Sequence, residues 1–324
     1  MWQPEGMADS FAARFAAVRA RFGPLVWGLD PSGDLLNAWG FGDTAAGLDR
    51  FADTVLEAAA GAVGLVKPQS AFYERHGWRG IRTLQRLLAS ARGAGLLTIL
   101  DVKRGDVGST NDAYAEAFLG AGAPLEADAV TVHPYLGLAA MGAFVSRASS
   151  AGACLLVVTR SSNPEGRIVQ EARVMPETLA GPGTGDGPGT GDGPGTGDGP
   201  GARVGRSVEE TLLAEIGTLN AALAPGQIGP VGAVVAATYL DRAHLEPALD
   251  LPAAHALFLA PGVGAQGATS ADVARTFAAC PGRVMPSASR LLLSAGPDAG
   301  ALRDAAATLA AEFRAALPAT GLDG

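Results

Sequence analysis

Cysteine, positive charge and above all lysine are scarce in this chain. Only two cysteines, Cys154 and Cys280, occur in 324 residues. Their spacing matches neither a metal-binding pair nor a redox motif. They read as free thiols of a reducing compartment, the cytoplasm, with Cys154 on a core strand. The 24 Lys plus Arg stand against 32 Asp plus Glu, a net charge of −8. With no basic stripe present, a nucleic-acid surface is disfavoured, although local donors can still hold an anionic small molecule. No run approaches about 18 apolar residues, so no segment is expected to span a membrane.

The lack of lysine is the most informative. Lys67 and Lys103 are the only two, and every other cation is arginine. A guanidinium does not release its proton inside a protein, whereas an amine can. Two amines kept where arginine serves everywhere else point to chemistry that needs an amine.

Lys103 lies in the stretch 96–110, around which the chain is organised. An apolar run, 96–100, sits between Gly95 and Gly105 and has the length of a buried strand. Strand alternation puts Asp101 and Lys103 on one face, about 7 Å apart along the chain. Asp106 follows Gly105, so it lies past the strand, near the start of the next helix. An ammonium among carboxylates is held in its charged form. Such an array suits a reaction that makes a carbanion and must quench it. A strand-end salt bridge is the plainer reading of the same residues.

The remainder alternates between strand and helix. Strands are expected at 25–30, 62–67, 96–100, 127–132, 154–159, 233–237, 256–260 and 283–285. Helices are expected at 44–60, 71–94 (broken near Gly77), 111–119, 138–149, 208–223, 241–249, 271–278 and 298–316. Phe11, Phe15, Val18 and Phe22 recur at helical spacing before the first strand. Glu5 and Asp9 argue against a targeting peptide there, which leaves a helix packed on the domain. Eight strand–helix units with short apolar strands predict a (β/α)8 TIM barrel, one domain over 1–324, with its site at the strand ends. The hexapeptide Gly-Pro-Gly-Thr-Gly-Asp, three copies and a partial fourth, interrupts the pattern over 181–201. Glycine at every second position excludes a collagen helix, and with nothing apolar to bury the segment reads as a disordered insert between the fifth strand and its helix.

Polar clusters follow the strands. Asp30, in Gly-Leu-Asp-Pro-Ser, also fits a plain turn before Pro31. Lys67, in Val-Lys-Pro-Gln-Ser-Ala-Phe-Tyr-Glu, also fits a surface ion pair. His133 has no second histidine at metal spacing and reads as a hydrogen-bonded turn residue. Ser161, Ser162 and Asn163 precede Pro164 and can offer hydroxyl, amide and backbone groups to a planar polar ligand. The glycine-rich loop 261–267, with Gln266 and Gly267, follows the seventh strand, and Arg290 follows the eighth. Those two loops are the usual phosphate cradle of this barrel.

Asp101-x-Lys103-x-x-Asp106-Val-x-x-Thr110, followed by Pro-Gly-Val-Gly-Ala-Gln-Gly, resembles orotidine 5′-monophosphate decarboxylases. Val-Lys-Pro-Gln-Ser-Ala-Phe-Tyr-Glu and Ser-Asn-Pro resemble the longer bacterial subgroup, and the likeness runs in family order from about Leu25 to Arg290. The 181–201 insert has no counterpart in the pattern. The resemblance implies a charged array of Lys67, Asp101, Lys103 and Asp106, with Asp106 and Thr110 entering from the partner subunit of a homodimer. Lys103 would protonate C6 of the pyrimidine and Asp101 would sit against the departing carboxylate. Lys67 and Asp30 would bind ribose hydroxyls, Ser162 the base, and Gln266 and Arg290 the phosphate. No metal or organic cofactor is implied. Two alternatives stay open at this stage: a magnesium-dependent barrel acting on sugar phosphates, and a non-catalytic phosphate-binding barrel.

Overall fold

The computed structural model describes residues 9–175, 205–237, 249–264 and 267–320. The expected helix at 241–249, the repeat over 181–201 and Gln266 lie wholly or largely outside them. Eight parallel strands close into a barrel in sequence order. They are β1 (Val26–Leu29), β2 (Leu65–Pro68), β3 (Leu97–Arg104), β4 (Ala129–Val132), β5 (Cys154–Arg160), β6 (Val231–Val235), β7 (Phe258–Ala260) and β8 (Val284–Ala288). Helices pack outside, the longest being Ala45–Ala59, Gly77–Gly93, Val208–Leu223 and Ala299–Ala316. The fold is the (β/α)8 barrel that the alternation predicts.

Several boundaries move. β3 runs to Arg104 rather than stopping at Leu100, so Asp101 and Lys103 are strand residues. β6 begins two residues earlier than expected, at Val231. β8 continues through Pro286 to Ala288, because the fixed φ of proline suits an extended chain. The helical stretch after β2 breaks where expected, with Gly77 at φ 62° between helices Ala71–Glu74 and Gly77–Gly93.

Strand parity decides what faces the lumen. Val26, Leu65, Leu97, Ile99, Ala129, Cys154, Leu156, Val234, Leu259 and Met285 form the inner cluster, and their strand neighbours face the helices. Phe11 and Phe15 of helix Phe11–Phe22 join that inner cluster, so the N-terminal helix plugs the lower end of the barrel. Its arginines hold it there. Arg14 bonds Asp128 and the carbonyl of Gly152, while Arg19 donates to the carbonyls of Leu317 at 2.6 Å and Pro318 at 3.0 Å. Counting upward by twos from the plugged end, the next inward positions are Lys67, Asp101, Lys103 and Thr131.

After β5 a short clasp joins 172–174 to 205–208. Gly205 N–H donates to Val174 O, Val174 N–H to Arg206 O and Val208 N–H to Ala172 O, each at 2.9 Å. Helix Val208–Leu223 then starts with a capping box between Ser207 and Glu210. Beneath it, Glu209 pairs with Arg160 at the end of β5, both buried, locking strand to helix.

Candidate active site

Asp101 is the hub of the barrel mouth. Its Oδ2 lies 3.1 Å from Lys67 Nζ and its Oδ1 2.5 Å from Lys103 Nζ. The hydroxyl of Thr131 donates to Oδ1 at 2.7 Å. With its amide nitrogen turned inward, Gln69 donates to Oδ2 at 3.0 Å and to Asp101 O at 2.6 Å. Four donors thus converge on one carboxylate, which is what permits an anion to be buried there. Burial pushes the Asp101 carboxyl up. The Lys67 and Lys103 ammoniums and the hydrogen bonds from Lys103 and Thr131 outweigh it and hold it far below the usual carboxylate range.

Lys67 is buried at the end of β2, and Asp30 Oδ1 stands 4.0 Å from its ammonium. Burial pushes Lys67 down, but Asp101 and Asp30 raise it further, and the net shift is upward. Both lysines of the chain therefore meet at one carboxylate. Asp30 Oδ1 itself is buried with no hydrogen-bond partner among the described residues.

Asp106 stands apart from this array. Its Oδ1 accepts from Val107 N–H at 2.8 Å, and its own N–H donates to Asn111 Oδ1 at 2.9 Å. Among the described residues it makes no ion pair, with Lys103 or with anything else. Thr110 is exposed in the first turn of the next helix, Gly108–Phe118, and Val107 before it is 56% exposed. In the loop after β4, Tyr135 and Leu136 are 81% and 50% exposed.

The remaining candidates divide. Ser161 is occupied: its N–H donates to Gln170 Oε1 at 3.2 Å and its hydroxyl accepts from Gln170 Nε2 at 2.7 Å. The hydroxyl of Ser162 meets no partner among the described residues. Asn163 is exposed and donates to Glu165 at 3.0 Å, which ties it to its own turn. On the far side, Gly262, Gly264 and Gly267 all take positive φ in the loop after β7. A Cβ on Gly264 would come within 2.9 Å of Leu291, so this loop packs directly on helix Arg290–Leu293 after β8. Arg290, at the first position of that helix, is exposed and unpaired among the described residues. His133 serves its turn through its backbone N–H, which donates to Arg104 O at 2.9 Å. Burial and the nearby Lys103 hold its imidazole below the usual value.

Sequence reading missed Thr131 and Gln69. Gln69 follows Lys67-Pro68, and Thr131 sits at an inward parity position of Ala-Val-Thr-Val-His. Parity counted from the plugged end is the signal that finds Thr131. Both cysteines are free and buried, and burial pushes the thiols up to about 12 for Cys154 and about 11 for Cys280. Among the described residues no cluster of three or more His, Cys, Asp or Glu is arranged to hold a metal, and no helix is long and apolar enough to cross a membrane.

Comparison with known proteins places this geometry. The profile of the orotidine 5′-phosphate decarboxylase / HUMPS family matches residues 24–180. The orotidine 5′-phosphate decarboxylase of Salinispora arenicola is 44% identical over 95% of this chain and 99% of its own length. That of Streptomyces coelicolor is 43% identical over 96% of this chain and 100% of its own. A Streptomyces avermitilis crystal structure, provisionally assigned the same activity, superposes with a TM-score of 0.82 at 41% identity, covering 98% of this chain and 99% of that one. The Leishmania donovani enzyme, at 25% identity and a TM-score of 0.66, covers 95% and 98%. With such identity along almost the whole length of both partners, this chain belongs to the orotidine 5′-phosphate decarboxylase family.

Proposed function

We infer that the chain decarboxylates orotidine 5′-monophosphate to uridine 5′-monophosphate, a step of pyrimidine biosynthesis. The observation that carries this is the gripping of one buried carboxylate by the only two lysines, at the mouth of a barrel whose opposite rim offers Arg290 and a glycine-rich loop. The nucleotide's phosphate would lie against Arg290, Gly267 and Gln266, and its ribose hydroxyls against Asp30 and Lys67. Ser162, with its hydroxyl uncommitted, fits the base better than Ser161. Asn163 fits best as a support for that turn.

In the proposed reaction the bond from C6 to the carboxylate breaks and its electron pair stays on C6. Lys103 Nζ delivers a proton to that carbon, carbon dioxide leaves, and solvent restores the ammonium. Fixed ammonium charge aimed at C6 stabilises the developing carbanion without reorganising. Asp101 would lie against the departing carboxylate, and that repulsion disappears once the product is neutral carbon dioxide. Contacts to the remote phosphate supply binding free energy for closing the loops about the base.

Asp106 would act in the partner's site of a homodimer. Its lack of an ion pair with its own Lys103 supports this, as does the exposed Val107 that follows it. The chain is best read as one domain over 1–324, with 181–201 a passive insertion. Its free, buried thiols fit a reducing cytoplasmic setting. A magnesium-dependent sugar-phosphate reaction is disfavoured because both oxygens of Asp101 are already committed to ammoniums. The decisive assay is loss of orotidine 5′-monophosphate absorbance with release of carbon dioxide, in the presence of a chelator. Substrate left unchanged, or turnover that stops with the chelator, would overturn this reading.

A further inference from the structure

β3 and β4 do not pair evenly at the site. Leu100 is opposite Val130 and Arg104 is opposite Val132, so β3 advances four residues while β4 advances two. The extra length is a bulge made of Asp101, Val102 and Lys103, and it pushes both charged side chains into the mouth. The bulge has two consequences. Lys103 is driven to φ 42°, a left-handed backbone that a side chain such as lysine rarely adopts. It also takes the Lys103 N–H out of the regular ladder, where a backbone carbonyl would otherwise accept it.

Thr131 stands opposite this bulge on β4 and is buried. Its hydroxyl accepts from Lys103 N–H at 3.0 Å, in place of the missing ladder carbonyl. The same hydroxyl donates to Asp101 Oδ1 at 2.7 Å, the oxygen that also receives Lys103 Nζ. One oxygen atom therefore joins the backbone of the lysine to the carboxylate that aims its ammonium. On the other side, Arg104 bonds Glu74 at 2.6 Å and Val102 O at 2.9 Å, which fixes the exit from the bulge.

We propose that Thr131 is a positioning residue for decarboxylation, its hydroxyl clamping the β3 bulge so that Asp101 and Lys103 keep their mutual geometry. The proposal rests on the reading of Lys103 as the acid. The hydroxyl bonds Lys103 N–H and Asp101 Oδ1 and makes no hydrogen bond to Asp30, Lys67 or Arg290, so its loss is expected to fall on turnover more than on binding. Valine has the shape of threonine but neither donates nor accepts, leaving the Lys103 N–H without an acceptor and Asp101 short of a donor. Serine keeps the hydroxyl.

The test compares Thr131→Val, Thr131→Ala and Thr131→Ser with wild type, measuring kcat, KM, affinity for uridine 5′-monophosphate and thermal melting. In the hydroxyl-free variants kcat is expected to fall about 10- to 100-fold, the scale of one hydrogen bond to a charged group. KM and product affinity should stay within about threefold, and Thr131→Ser should recover most of kcat. A hydroxyl-free variant with wild-type kcat would overturn the proposal, as would a rise in KM at constant kcat or a serine variant as slow as valine. If neither hydroxyl-free variant folds, the hydroxyl serves strand pairing and the proposal is equally overturned. Wild-type protein inert toward orotidine 5′-monophosphate would instead sink the decarboxylase reading, a different failure from an active wild type with indifferent Thr131 variants.

Discussion

Lys67 and Lys103, 36 residues apart in sequence, hold opposite oxygens of Asp101, at 3.1 Å on Oδ2 and 2.5 Å on Oδ1. A carboxylate held from both sides cannot turn, and each ammonium is fixed by the same anchor. The two lysines nevertheless differ in access. The Lys67 side chain is buried, whereas that of Lys103 is about a third exposed, 36%, toward the mouth where a substrate enters. That difference supports the proposed roles of Lys103 as proton donor and Lys67 as part of the frame.

Lys103→Arg keeps the positive charge beside Asp101 but cannot readily pass on a proton. Turnover of orotidine 5′-monophosphate is expected to fall by about 10²–10⁴-fold, the scale of a general-acid contribution. Affinity for uridine 5′-monophosphate should change much less, because ribose and phosphate contacts remain. Near-normal kcat in this variant would remove Lys103 from the acid role.

Asp101→Asn should destabilise the fold by about 3–5 kcal/mol near pH 7, since it leaves two ammoniums without their buried anion. The pH dependence has a definite sign. The Asp101 carboxyl is depressed in the folded state, so its contribution is fully present above the unfolded value of about 3.9 and is lost as pH falls toward the folded one. Urea titrations of wild type and variant should therefore show a constant gap from pH 8 to pH 5. The gap should narrow only below about pH 4. A gap that closes between pH 8 and pH 6 would mean that another group carries the effect.

Arg290→Ala should weaken nucleotide binding by about 1.5–3 kcal/mol, the scale of a charge-assisted contact to phosphate. Arg290 is exposed and unpaired among the described residues, so melting temperature should hardly move. The unphosphorylated nucleoside should be nearly indifferent to the change. Equal losses for nucleotide and nucleoside would make Arg290 structural.

Removing 181–201 should leave folding and turnover close to wild type, because the clasp at Ala172, Val174, Gly205 and Arg206 lies outside the deleted residues. The chain between Val174 and Gly205 would shorten from about 30 residues to about 9, a loop-entropy gain of only about 1 kcal/mol. The remaining residues need only connect Val174 and Gly205, which are already hydrogen-bonded at 2.9 Å. A large fall in kcat with unchanged melting would give the segment a role in turnover.

Much of this architecture is legible from sequence because parity and punctuation are local. Leu97, Ile99 and Asp101 alternate inward, and glycine brackets the strand, so Asp101 and Lys103 could be placed on one face without coordinates. The bulge was not legible, since it is a difference in advance between two strands and neither strand alone records it. Thr131 was hidden for the same reason: a β-branched residue on a strand reads as an ordinary strand former until its partner is known. The choice between Ser161 and Ser162 turned on Gln170, nine residues on, whose amide occupies only the first.

The placement of Asp106 gives the sharpest test of the proposed shared site. Asp106→Ala removes the carboxylate and its bond from Val107 N–H, while the backbone N–H of residue 106 keeps its bond to Asn111. Asp106→Ala and Lys103→Ala proteins should each be inactive as homodimers. In a mixed dimer, one site collects both lesions and the other has neither. With random exchange of subunits about half the dimers are mixed, and each has one intact site of two. Activity should then recover to about a quarter of wild type, the binomial outcome for closed two-fold dimers. If mass spectrometry shows that subunits have exchanged and no activity returns, Asp106 acts within its own subunit. In that case the turn carrying Val107 and Thr110 must swing inward on substrate binding, because Asp106 does not reach Lys103 where it stands.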